Sequence, residues 1–236
     1  MPLAAPEEGF APWAVLVAKD FGRAKSRLGR ALSATQRREL AASMFDGVLG
    51  ACVGTSELQG TLVATDGRDT AALALRRGAR VLRDEPLHSE LHAIVDRALA
   101  HVRELGATHA LVVMADLPLA RTRDLRELLA LVRQADVVIA PDAERRGTGA
   151  LAVRLDLGFR TCFGHADSLQ RHLREAHRLR VTARVLYNPR LAFDLDAPRH
   201  LPQLERDALV TQVAQATQAP TRADDEPLHP AGAPAR

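Results

Sequence analysis

The sequence predicts an α/β domain: a mostly parallel sheet covered by helices on both faces. Three observations lead there. Short apolar runs rich in Val, Leu and Ala alternate with helical stretches from one end of the chain to the other. The 236 residues are enough for one large domain and too few for two. The composition, 47 % hydrophobic and 26 % charged, is that of a globular protein, and no segment repeats.

The elements follow in order. WAVLVAK (13–19) is a short apolar run and reads as a buried strand. Ser33 is placed to cap a helix on whose one face Leu40, Met44, Val48 and Cys52 recur. TLVATD (61–66) is the next strand, 68–77 a short helix ended by Gly78, and ARVLRD (79–84) a third strand. A helix over 89–105 ends at Gly106, and HALVVMAD (109–116) is the clearest central strand. A helix at 122–133 leads to strand 136–142. Strands at 149–155 and 183–188 flank a helix at 168–178. Residues 1–11 read as a loose leader and 12–214 as the domain. The Pro-rich stretch 215–236 has almost no large apolar groups, so it is expected to be disordered.

Composition excludes several classes. A formal charge of +3 and 3 % aromatics argue against a nucleic-acid clamp or a stacking platform. Two cysteines make neither a disulfide framework nor a zinc cluster. No apolar run reaches the roughly 20 residues of a membrane span, and no basic-then-apolar leader is present. The cytoplasm is the default expectation. The sequence leaves a homodimer open.

In parallel sheets, ligands bind at the carboxyl ends of strands. The loop after the first strand carries Lys19, Arg23, Lys25, Ser26 and Arg27. Lys19 and Lys25 are the two lysines in a chain with 30 arginines. A compact ammonium suits a place where the flat guanidinium fork does not fit. The loop suits a polyphosphate, although it matches neither GxxxxGK[ST] nor GxGxxG; a solvated basic helix start is the alternative. Strand 109–114 delivers Asp116 into Asp-Leu-Pro-Leu, as a Mg²⁺ ligand or as a turn cap. In AFDLDAP, Asp194 and Asp196 alternate and so share a face. Two adjacent carboxylates repel unless a cation joins them, unless Asp196 merely caps the turn before Pro198. RRGTGAL (145–151) and FGHADSLQRH (163–172) are turns whose Thr148, Gly164 and Ser168 suit an anion, Ser168 as a helix N-cap. His165 and His172 read as surface or packing residues.

In order, AKSRL, LSATQRREL, MADLPL, GTxAL, FGxxxS…H and FDLD resemble the guanylyltransferases of coenzyme F-420 biosynthesis, from about Trp13 to Leu201. The resemblance implies a nucleotidyltransferase-type, Rossmann-like fold and transfer of GMP from GTP to a three-carbon phosphorylated acid, with release of diphosphate. The acid is 2-phospho-L-lactate, phosphoenolpyruvate or 3-phospho-D-glycerate. By position it implies Asp116, Asp194 and Asp196 as ligands of one or two Mg²⁺ ions. It implies Lys19, Lys25, Ser26 and Arg27 at the triphosphate, with Lys25, Arg27 and Asp116 catalytic. Thr148, Gly164 and Ser168 would hold the acid.

The chain departs from the family where Gly149 and His92 replace the usual Asn, and where the 164–168 turn is one residue longer. The first change removes bulk beside Thr148, and the last leaves His165 or Asp167 to meet a hydroxyl. Both favour the longer acid, 3-phospho-D-glycerate. A molybdopterin guanylyltransferase or a sugar-phosphate nucleotidylyltransferase is the runner-up, but the GxGxR loop usual there is absent. A non-enzymatic nucleotide-binding module is the third reading, against which the three aspartates argue.

Overall fold

The computed structural model of the chain describes residues 9–83 and 90–195. The expected disordered stretch 215–236 lies outside them, as do Asp196 and most of the expected leader. The strands are β1 (Pro12–Val17), β2 (Gly60–Thr65), β3 (Arg80–Arg83), β4 (His109–Met114), β5 (Val137–Pro141), β6 (Thr148–Arg154) and β7 (Ala183–Val185). They form one sheet in the order β3-β2-β1-β4-β6-β5-β7. Every pairing is parallel except those of β6, which runs antiparallel to β4 and β5. The helices are α1 (Ala34–Val53), α2 (Arg68–Arg76), α3 (Leu91–Glu104), α4 (Thr122–Val132), α5 (Ser168–Leu179) and α6 (Pro189–Ala192).

Alternation of side chains along each strand creates two apolar layers. On one face Leu16, Val63, Leu111 and Val138 meet Phe45, Leu49, Leu125 and Leu128 of α1 and α4. On the other, Val15, Leu62, Val112 and Ile139 meet Val95, Ala98 and Val102 of α3 and Leu169 of α5. Leu16, Leu62, Leu111 and Ile139 are fully buried. Each such side chain stabilises the fold by about 1.5–3 kcal/mol.

Helix α1 begins as its sequence demands. The Ser33 hydroxyl accepts from the Gln36 N–H at 3.2 Å, and the Gln36 side chain accepts from the Ser33 N–H at 2.9 Å. Gly78 and Gly106, at φ +82° and +90°, follow α2 and α3 in the left-handed conformation that glycine adopts without strain.

Two expectations need correction. The N-cap of α5 is Asp167, and Ser168 is the first helical residue. Strand 183–188 stops at Val185. The chain then turns through Asn188, whose side chain caps α6 by accepting from Arg190 N–H (3.0 Å) and Leu191 N–H (3.3 Å). Helix α6 itself carries no signal longer than one turn.

Candidate active site

The parallel strands β1, β2 and β4 end beside one another, and a cleft of about 600 Å³ opens at those ends. The structure brings Lys19, Lys25, Ser26, Arg27 and Asp116 together in its lining, with Phe21, Met44 and Phe45 supplying an apolar part. The segment after β1 is fixed from two sides. Asp20 caps a one-turn helix, its carboxylate accepting from Gly22 N–H at 2.9 Å. Its own N–H donates to Asp66 at 3.2 Å, and Arg23 pairs with the same Asp66. Sequence reasoning missed Asp66, which lies just past the β2 terminus where the ligand rule would have found it.

Lys25 stands between two one-turn helices, Phe21–Arg23 and Ser26–Leu28, at φ +54°. A left-handed conformation in a residue with a Cβ costs about 1–3 kcal/mol, and persists only where the surroundings enforce it. In that conformation Lys25 reaches Asp116: its Nζ lies 2.9 Å from Asp116 Oδ2. The lysine side chain is 7 % exposed and the aspartate 31 %, so the pair closes one wall of the cleft with the carboxylate at its open side.

Asp194 is half-buried on the strip that follows α6. Its neighbour Leu195 donates from its N–H to the Asp116 carbonyl at 3.4 Å, so this strip runs beside the Asp116 turn. The strip is anchored through Asn188 and Arg190, which both bind the buried Asp124 of α4. Burial alone would raise the Asp124 carboxyl, but hydrogen bonds from Arg190 and Asn188 hold it below the ordinary value. Among the described residues no three acidic, His or Cys side chains group around a point fit for a metal. Asp196, the third carboxylate of the expected set, lies outside them.

Thr148 reaches the same edge of the sheet by a different route. Val113 pairs with Ala150, so the start of β6 lies beside the end of β4. The preceding turn is shaped by Asp142, whose carboxylate accepts from the N–H groups of Arg146 (2.9 Å) and Gly147 (2.8 Å). The Ser168 hydroxyl donates to the Thr148 hydroxyl oxygen at 3.1 Å, and His172 Nδ1 lies 3.1 Å from that same oxygen. His172 Nε2 accepts from the Cys162 N–H at 2.7 Å. The ring is fully buried between Phe159 and Phe163, and burial pushes its pKa down to about 4. Gly164, at φ +91°, lets the turn press on Leu91, which lines the cleft; a Cβ there would sit 3.2 Å from Leu91 Cβ.

The expected widening of the acid pocket is not what the structure shows. A Cβ on Gly149 would collide with the carbonyl oxygen of Leu191, so the space is filled by backbone. His165 stacks on His92 with ring centroids 5.5 Å apart. Asp167 is engaged by Arg171 at 2.6 Å and Arg174 at 3.4 Å. A separate depression of about 870 Å³ between α3 and α5 includes these side chains in its lining.

No helix among the described residues is long and apolar enough to cross a membrane. Residues 13–205 match the family described as guanylyl transferase CofC like. The chain is 37 % identical to a phosphoenolpyruvate guanylyltransferase of Chloroflexus aggregans, over 76 % of this chain and 90 % of that protein. It is 35 % identical to a protein of the same name from Conexibacter woesei, over 81 % and 86 %. It is 33 % identical to a 3-phospho-D-glycerate guanylyltransferase of Phenylobacterium zucineum, over 82 % and 89 %. A nucleotidyl transferase structure from Methanothermobacter shares the fold, with a TM-score of 0.59 at 19 % identity over 85 % of this chain and 99 % of that one.

Proposed function

The chain belongs to the CofC-like guanylyl transferase family, and we propose that it transfers the GMP of GTP to the phosphate of a three-carbon phosphorylated acid. An oxygen of the acid's phosphate attacks the α-phosphorus of GTP. The bond between that phosphorus and the β-phosphate oxygen breaks, and diphosphate leaves. The resemblance to the enzymes of coenzyme F-420 biosynthesis supports a place for this step in that pathway.

The attacking phosphate monoester has a second pKa of about 6, so it is largely dianionic at neutral pH and needs no general base. The difficulty is the approach of two polyanions, which positive charge held in place relieves. Lys25 carries the proposal: it is a mostly buried ammonium 2.9 Å from a carboxylate, held in a left-handed conformation in the wall of a nucleotide-sized cleft. There it, Lys19 and Arg27 face the triphosphate and take up the charge that develops on departing diphosphate. The Ser26 N–H and hydroxyl add donors to the same loop.

Asp116 orients Lys25, and its partly exposed carboxylate, with Asp194 and Asp196, would hold Mg²⁺ (one or two ions). Carboxylates completed by phosphate oxygens are the donor set this ion takes. When bound, Mg²⁺ supplies Lewis-acid polarisation of the α-phosphate and screens the meeting anions. Thr148, Ser168 and the Gly164 turn form the acid subsite, at the edge of the sheet beside Asp116.

Phosphoenolpyruvate is the acid the observations favour. Leu191 fills the space that a shortened residue 149 was expected to open. Asp167, one expected partner of an extra hydroxyl, is ion-paired with Arg171 and Arg174. The Chloroflexus and Conexibacter names agree with this, while the Phenylobacterium name keeps 3-phospho-D-glycerate as the second reading. The test mixes enzyme, GTP and Mg²⁺ with each of the three acids and measures diphosphate. Release is expected with phosphoenolpyruvate, and its dominance should persist when all three compete. No release with any acid overturns the reaction; a dominant glycerate product overturns the choice of acid.

A further inference from the structure

The Thr148 oxygen has two neighbours that each bring a proton, and the count of protons assigns a task to His172. The Cys162 N–H is an obligate donor, and it points at His172 Nε2 from 2.7 Å. That nitrogen therefore holds a lone pair. The ring is fully buried and, with its pKa near 4, neutral at working pH, so its one proton is on Nδ1. Nδ1–H then donates to the Thr148 hydroxyl oxygen at 3.1 Å.

Thr148 and Ser168 together own two hydroxyl protons, and their mutual hydrogen bond at 3.1 Å uses one. Because His172 accepts neither, one proton is left to point out of the cluster. The opposite tautomer would draw the Thr148 proton inward, and Ser168 would satisfy Thr148, leaving none. Ser168 is buried at 3 % exposure whereas Thr148 is partly exposed, so the outward donor is the Thr148 hydroxyl.

We propose that His172 is a positioning residue for the acid subsite: its Nδ1–H tautomer makes the Thr148–Ser168 pair an obligate hydrogen-bond donor to the anionic acid. The role rests on the reading of Thr148 and Ser168 as the acid subsite. It explains why an imidazole occupies a pocket between Phe159 and Phe163 that an apolar side chain would fill more cheaply.

Two variants separate the two ring nitrogens. His172→Gln keeps an acceptor near the Cys162 N–H but places no donor where Nδ1 sits. His172→Asn keeps that donor and loses the acceptor. With phosphoenolpyruvate as the acid, His172→Gln should raise its KM at least tenfold, with kcat and the KM for GTP changed less than threefold. His172→Asn should keep the acid KM within threefold of wild type even where its melting temperature falls. An unchanged acid KM in His172→Gln, or equal rises in both variants, overturns the role. Should either variant fail to fold, imidazole ¹⁵N resonances of the wild-type protein decide: protonated Nδ1 supports the proposal, and protonated Nε2 overturns it. A wild type that releases no diphosphate with any acid overturns the functional reading instead.

Discussion

At the scale of single residues, Lys25 joins strain to charge. Its φ of +54° is disfavoured for a residue with a Cβ, and its ammonium is mostly removed from water. The Asp116 carboxylate at 2.9 Å offsets the desolvation of that ammonium. Lys25→Ala should leave the fold intact, since it removes the buried charge and the chain there is a surface loop. Turnover should fall roughly 10²–10³-fold, the roughly 2.7–4 kcal/mol that one preorganised contact to developing charge supplies. Single-turnover rates at saturating GTP are the measurement, and a loss smaller than fivefold would remove Lys25 from the reaction. The sequence marked this lysine because it was one of two among many arginines. It gave no sign of the left-handed backbone, since nothing in Ala-Lys-Ser departs from an ordinary loop. Gly149 shows the converse. Its missing side chain was visible in the sequence, but its cause, the Leu191 carbonyl oxygen, comes from a segment some forty residues away.

At the scale of elements, the strands and long helices were legible because each satisfies a local rule. Ser33 with Gln36 makes a capping box, and Met44, Val48 and Cys52 recur every four residues and are all buried. The direction of β6 was not legible. GALAVR is buried on both sides, and such a run reads the same parallel or antiparallel. Helix α6 was missed for a related reason: one turn cannot show a period, and it is held by long-range polar contacts. Asp124 of α4 is 1 % exposed and accepts from Arg190 Nε at 2.8 Å, Asn188 Nδ2 at 3.0 Å and the Arg121 N–H at 3.0 Å. Removing one partner of a buried pair costs about 3–5 kcal/mol. Arg190 is 32 % exposed and keeps some water, so Asp124→Ala should cost about 3 kcal/mol, at the lower end. The sign with pH follows from the depressed carboxyl. This stabilisation is complete above the unfolded Asp value of about 3.9 and is lost as pH falls through the lower folded value. Urea unfolding of wild type and variant at neutral pH and near pH 3 should show the gap between them shrink on acidification. A gap independent of pH would mean that the aspartate acts by packing alone.

At the scale of the whole molecule, strand polarity decides where chemistry can collect. The carboxyl ends of β1, β2 and β4 deliver Lys19, Asp66 and Asp116 to one edge, and the reversed β6 brings its amino end, Thr148, to that edge as well. One antiparallel strand thus brings the proposed acid-binding residues beside the proposed triphosphate loop. Charge is distributed to match. The net charge is only +3, and many surface arginines are paired, as in Arg38–Asp69, Arg77–Asp46, Arg126–Glu57 and Arg178–Glu175. Exposed pairs of this kind contribute about 0–1 kcal/mol each, so salt that screens them should move stability little. The cleft differs, because Lys19, Lys25 and Arg27 line it together, and in the proposed reaction they meet a ligand carrying several negative charges. The screening length falls from roughly 10 Å at 0.1 M salt to 3 Å at 1 M, which weakens attraction to an approaching polyanion before it weakens contacts already formed. Raising KCl from 0.05 to 0.5 M should therefore raise the KM for GTP severalfold, leave kcat within about twofold and shift Tm by only a few degrees. Initial rates and thermal unfolding in the same buffers measure all three. If KM stayed flat while Tm fell steeply, the surface pairs would be the salt-sensitive charges and the cleft would not be the polyanion site.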